Sequence, residues 1–241
     1  MRSVPQISGG SEAQPPATQS AMQSFERHTM KRISLVLLLL AISGAAAAEE
    51  TKDGWIRLFD GKTLNGWKPS EHASNWKVVD GAIVASGPRS HLFYVGDDAN
   101  NPAEFKDFHF KAEVMTKPGS NSGIFFHTHF VPDNWPAVGH EAQVNNTFKP
   151  DPQKTAGIYN IVKVLKSPAT DDKWFTYEII VRGSHITTKI DGKTIVEYDE
   201  PQDVKGDRKL SRGLFALQAH DPGSTTFYKN LSVKRLAQNE D

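Results

Sequence analysis

Most of the chain after residue 50 alternates apolar and polar positions with a period of two. In DFHFKAEVMT, Phe108, Phe110, Ala112 and Val114 fall on one face, with His109, Lys111, Glu113 and Met115 on the other. WFTYEIIVRG sets Phe175, Tyr177, Ile179 and Val181 against Trp174, Thr176, Glu178 and Ile180. Successive side chains leave a pleated strand on opposite sides, so this pattern predicts strands with one face in a core. HITTKIDGKTIVEY places Asp191-Gly192 between two alternating runs, a pair that accepts the positive φ of a tight hairpin turn. SGIFFHTHF, AGIYNIVKVL, RGLFALQAH and TFYKNLSVKRL extend the set to about ten short strands or more, punctuated by Gly, Pro, Asn and Asp. No run carries a sustained i, i+3, i+4 apolar spacing. The pattern predicts an all-β sandwich or barrel without a second domain.

One strand breaks the rule. In AVGHEAQVNNT, residues 137–147, His140 falls with Val138, Ala142 and Val144, while Glu141, Gln143 and Asn145 share the opposite face. Three polar side chains in a row on one strand face make either a wet surface or the floor of a site. His140, grouped with apolar neighbours, reads as a packed, hydrogen-bonded histidine.

Composition narrows the partners. Among 241 residues, 28 basic side chains balance 28 acidic ones, which gives neither nucleic acid nor an anionic membrane an electrostatic footprint. MKRISLVLLLLAISGAAAAEE starts at Met30 with two basic residues, continues through an apolar run from Ile33 to Ile42, and ends in small residues. This is the form of a secretory signal peptide over 30–48, cleaved after Ala48. The run is too short for a stable membrane span, and no second one follows. Residues 1–29 read as a disordered extension or as sequence ahead of a true start at Met30, leaving 49–241 as the working domain. The expectation is an exported protein, periplasmic or extracellular. Without cysteine it has no disulfide, thiol nucleophile or cysteine-bound zinc, and stands on its hydrophobic core.

The ordered series GWIRLFDGKTLNGWK, NWKVVDGAIVASG, DFHFKAEVMTKPGSNSGIFFHT, GHEAQVNN, TAGIYNI, WFTYEIIVRGSHITTKIDGKTI and GLFALQAHDPGSTTFYKNLSVKRL resembles the 3-keto-disaccharide hydrolase domain family, from about Trp55 to Leu236. The resemblance implies a concanavalin A-like jelly roll of two antiparallel sheets. It also implies cleavage of sugars oxidised at C3, by hydrolysis or by elimination across C1–C2. It places Glu141 and Gln143 on the concave side, with position 127 and the Gln218/His220 pair around the same cleft. The family more often has arginine at 127, where this chain has His127.

Ordinary glycosidases need two carboxylates flanking the bond. The strand at 141 offers only one, since 143 is glutamine and 145 asparagine. A C3 ketone changes the demand, because it acidifies the C2 proton and one base then suffices to expel the aglycone. The catalytic candidates are therefore Glu141, His127 and His220, with Gln143, Asn121, Ser122, Gln218, Tyr159 and Trp135 as sugar contacts. Parity along the strands puts His127 on the face of Gly123 and Phe125, and His220 on that of Ala216 and Gln218. His127, Glu141 and His220 are also the group that would hold a divalent metal, although no established ligand spacing is present. GDDANN, 96–101, reads as a solvated turn. Trp55, Trp67, Trp76 and Trp174 read as core or edge packing. The alternatives to an enzyme are a non-catalytic carbohydrate-binding module and an adhesive sandwich, since one fold supports all three.

Overall fold

The computed structural model describes residues 51–98 and 103–237. The segments read as an extension (1–29) and a signal peptide (30–48), and part of the 96–101 turn, lie outside the described residues. Thirteen strands follow in order: β1 (Trp55–Arg57), β2 (Trp67–Pro69), β3 (Trp76–Val79), β4 (Ala82–Ser86), β5 (Ser90–Tyr94), β6 (Phe108–Thr116) and β7 (Ser122–Thr128), then β8 (His140–Val144), β9 (Phe175–Arg182), β10 (His185–Ile190), β11 (Lys193–Asp199), β12 (Leu214–Ala219) and β13 (Thr225–Arg235). The chain is an all-β jelly roll of two antiparallel sheets. One sheet runs β11-β10-β9-β6-β13-β4-β3, with β1 also on β13, and the other runs β2-β5-β12-β7-β8. No helix among the described residues is long and apolar enough to cross a membrane.

The two sheets bury one shared core. Phe108, Phe110, Ala112 and Val114 of β6 and Phe175, Tyr177, Ile179 and Val181 of β9 meet Ile124 and Phe126 of β7, Ala142 and Val144 of β8, and Phe215 and Leu217 of β12. The alternation read in β6 and β9 is this half-buried geometry. Asp191-Gly192 closes the β10–β11 hairpin with φ of 49° and 77°, and Asp80-Gly81 closes β3–β4 in the same way. Trp67 donates its indole N–H to the Leu58 carbonyl (2.6 Å), and Trp76 donates to Ser90 Oγ (2.9 Å), so both buried rings are satisfied. Trp55 and Trp174 pack at the rim, against His109 and Phe227.

In the five-stranded sheet β5, β7, β8 and β12 differ from the strands of the partner sheet in being buried on both faces. The outer face of the five-stranded sheet carries a separate apolar cluster of Phe93, Val95, Phe125, Leu214 and Ala216, against which Phe130 and Val131 of a covering loop pack. The free edge of β8 is covered too. Tyr159 N–H donates to the Glu141 carbonyl (2.8 Å), and Gln143 N–H to that of Gly157 (2.9 Å), which removes an exposed sheet edge.

A bulge interrupts β7. Thr128 faces Leu214 and Phe125 faces Ala216, so Phe126 and His127 together oppose Phe215. His127 takes φ of 55° to make it. Two glycines give the bulge room: a Cβ on Gly139 would overlap the Phe126 carbonyl oxygen, and one on Gly213 the Thr128 carbonyl oxygen. Gly213→Ala is expected to lower stability by about 1–3 kcal/mol, read as a lower denaturant midpoint, because backbone has to shift to admit the methyl. An unchanged midpoint would show that the bulge does not depend on that gap.

Candidate functional site

Glu141 faces away from the inter-sheet core, on the outer face of the five-stranded sheet. It pairs with Phe125 across β7–β8, and Gly123 pairs with Gln143. Leu217 faces Ile124, so the next step along β12 sets Gln218 beside Gly123. The Glu141 side chain lies across Gly123, where any Cβ would overlap its carboxyl group, and ends 2.9 Å from the Gln218 amide, which donates to Oε1. Glycine at 123 is thus required by a close approach of side chain to backbone.

The carboxyl is buried, and burial pushes its pKa up to about 8. The Arg208 guanidinium and the Gln218 amide pull the other way, and Asp151 adds to the rise. At neutral pH the group is therefore mostly protonated. Just above that it becomes a base much stronger than a solvated carboxylate.

A cavity of about 240 Å³ opens over Glu141. Gln143, Gln218 and Asn121 line it, as do Tyr159, Trp135 and His220. Gln143 Oε1, Gln218 Oε1 and Asn121 Oδ1 are buried acceptors without a protein donor. His220 Nδ1 lies 2.8 Å from Asp221 Oδ2, which holds the ring with Nε2 free for other work. Burial alone would raise the Asp221 carboxyl, but hydrogen bonds from Ser224, His220 and Gly223 outweigh it and hold it below the usual range. The Trp135 ring tilts against His220 at 5.4 Å and meets His91 edge-on at 5.5 Å.

Two expected members stand elsewhere. His127 does not reach the cavity, because the bulge at φ 55° breaks the parity that would have aimed it there. Its Nε2–H donates to the Lys106 carbonyl (2.8 Å), its Nδ1 accepts the Ser211 N–H (3.1 Å), and its ring packs against Phe108 and Phe126. Burial pushes its pKa down to about 4. The proposed metal group of His127, Glu141 and His220 therefore does not assemble, and among the described residues no cluster of three or more His, Cys, Asp or Glu side chains is placed to hold a metal ion. Ser122 also faces the core. Its hydroxyl lies 2.6 Å from Tyr228 Oη and donates to the Gln218 carbonyl (2.5 Å).

Other residues enter from loops. Arg208 lines the cavity, donates to the Pro136 carbonyl (2.8 Å) and sits over the Phe125 ring (5.9 Å), so the pocket's guanidinium comes from a loop and not from position 127. That loop is moored by the His127–Ser211 bond, by Gly139 N–H on the Asp207 carbonyl (3.0 Å), and by a buried His140–Glu200 pair at 2.7 Å. Asp151 brings a second carboxyl to the cavity, which the strand pattern does not show. Both its oxygens are occupied, Oδ2 by the Gln143 amide (3.1 Å) and Oδ1 by the Gln153 N–H (2.8 Å). Periodicity carries no signal for loop residues such as Arg208 and Asp151; Asp221 was missed as well, although its place next to His220 is a signal that could have found it.

Fold and site together define a jelly roll with a pocket of buried polar groups on one sheet face. The chain belongs to the 3-keto-alpha-glucoside-1,2-lyase-like domain family, whose model matches residues 54–234. It is 38% identical over 79 residues to a 3-keto-disaccharide hydrolase of Bacteroides thetaiotaomicron, a match that covers 31% of this chain and spans only 27% of that relative. The fold is similar to that of a candidate glycosyl hydrolase from Parabacteroides distasonis (TM-score 0.65, 20% identity, 79% of this chain and 100% of that one). It is also similar to the carbohydrate-binding module CBM66 from Bacillus subtilis (TM-score 0.50, 14% identity, 72% and 98%).

The raised pKa of Glu141 fixes the sign of a stability test. Folding favours its protonated form, so the native state bears no ionisation cost below the ordinary value of 4.5 and an increasing one as pH rises through about 8. Glu141→Gln is expected to match the parent near pH 4 and to exceed it by on the order of 4 kcal/mol near pH 9 in denaturant titrations. A gap that does not change with pH would mean that the carboxyl is not desolvated.

Proposed function

We propose that this chain is an exported enzyme that cleaves 3-keto-glycosides by elimination across C1–C2, with water adding afterwards. The observation that carries this reading is a single buried carboxyl with a pKa near 8, accepting a hydrogen bond from the Gln218 amide over a glycine, in a cavity that also holds a guanidinium and an Asp-held imidazole. The family's name and the relative's both refer to 3-keto sugars and support the substrate class. The three unpartnered acceptors at Gln143, Gln218 and Asn121 suit a ligand rich in hydroxyl donors.

The steps use groups on one wall. Ionised Glu141 takes the C2 proton, and the electron pair moves onto the C3 oxygen as an enolate. Arg208 stabilises that negative charge as it develops. The enolate then re-forms the ketone and a C1–C2 double bond as the C1–O bond breaks, and the leaving oxygen takes the Nε2 proton of the His220 imidazolium, which Asp221 holds through Nδ1–H and which is left as the neutral ring. Water added across C1–C2 returns the 3-keto sugar. Displacement by two carboxylates is less well served, because both oxygens of Asp151 are already engaged.

A 3-keto-glucoside is expected to release its aglycone while the parent glucoside does not. Substrate deuterated at C2 is expected to react roughly two-fold or more slowly, because that C–H bond breaks in the first step. Glu141→Gln, and separately His220→Ala, are expected to reduce kcat by about 10²–10⁴ while retaining the fold. kcat/KM should climb with pH toward about 8 as Glu141 ionises. Cleavage of the unoxidised glucoside at a similar rate, or no isotope effect at C2, would refute the elimination.

A further inference from the structure

Next to the cavity over Glu141 lies a second hollow of about 410 Å³, and the two share Asn121, Asp151, Tyr159 and His220. A glycoside whose sugar ring fills the first cavity and whose bridging oxygen reaches His220 therefore leaves its aglycone in the second. The walls of that second hollow have a distinct chemistry. Phe148 is half-buried, and Pro150 and Pro152 are exposed. The polar side chains that only this hollow or its rim supplies are already engaged: Gln153 Nε2 donates to Asn160 Oδ1 (3.2 Å), its Oε1 accepts the Asn160 N–H (2.9 Å), and both oxygens of the shared Asp151 are bonded. Away from the boundary with the first cavity, where Asn121, Tyr159 and His220 stand, what remains for a ligand is mainly the faces of three rings.

The loop is also rigid before anything binds. The Lys154 ammonium donates to the carbonyls of Phe148 (2.7 Å) and Asp151 (2.8 Å) and to Asn145 Oδ1 (3.3 Å). The buried Asn145 amide adds bonds to the Asp151 and Gln153 carbonyls at 3.1 and 2.9 Å, and Phe148 N–H donates back to Asn145 Oδ1 (2.8 Å). A surface fixed in this way loses little entropy when a ligand settles on it. Phe148 also packs against the His220 ring at 5.5 Å, so the apolar wall begins where the leaving oxygen is protonated.

We propose that residues 148–152 form the leaving-group subsite and select aglycones that present an apolar ring face. The inference rests on the reaction proposed above. Benzyl and methyl 3-ketoglucosides test it, since their leaving alcohols are of similar acidity and differ mainly in the ring. kcat/KM is expected to favour benzyl by about tenfold. Phe148→Ala is expected to bring that ratio to within about twofold of unity, and Phe148→Leu to retain part of it. Lys154→Met, which frees the loop without touching the ring, is expected to lower the ratio as well. Calorimetry with the unoxidised benzyl and methyl glucosides reads the same preference without turnover. Preference in binding without turnover of either ketone would refute the reaction and leave the subsite standing. Turnover of both ketones at equal kcat/KM, or a benzyl preference unchanged in Phe148→Ala, would refute the subsite.

Discussion

Keeping water off one carboxyl is the constraint around which the rest of this sheet is arranged. Glu141 lies flat over Gly123, with the Gln218 amide as its hydrogen-bond partner. An ionised group there is costly, so the proton is held far above the usual carboxylate range. Burial of that kind requires loops over the outer face and a glycine beneath the side chain, with the amide of Gln218 as its direct partner. It also explains why β5, β7, β8 and β12 are buried on both sides while β6 and β9 alternate.

The side chains that secure those loops are themselves polar and buried. His127 takes a backbone N–H from the Arg208 loop, and His140 pairs with Glu200 at the start of it. Asn145, the third polar residue of its strand face, bonds the carbonyls that shape the 148–153 turn. Residues that look chemical in isolation thus act one step away, by positioning loops that supply Arg208, Asp151 and Phe148. Such outer support is a common requirement of preorganised sites.

The fold was legible because most strands of the larger sheet have one wet face, and because the Asp191-Gly192 turn has one low-cost solution. The site was legible where a strand keeps its period: Glu141, Gln143 and Gln218 do line one cavity, with His220 just beyond β12. Parity failed at His127 because a bulge inserts one residue, and the glycines that admit it, Gly139 and Gly213, are distant in sequence. Ser122 was misplaced for a simpler reason. It belongs to the face of Ile124 and Phe126, as the period of two along β7 already requires. Arg208 and Asp151 sit on irregular segments, where no periodic rule says which way a side chain turns.

The Lys154 ammonium occupies a ring of oxygens from Phe148, Asp151 and Asn145 of the kind that in many loops surrounds a bound cation. Here the positive charge is attached to the backbone by its own covalent stem. Dilution cannot strip it and a chelator has nothing to extract, so the shape of this turn is decoupled from the ionic composition of the surrounding medium.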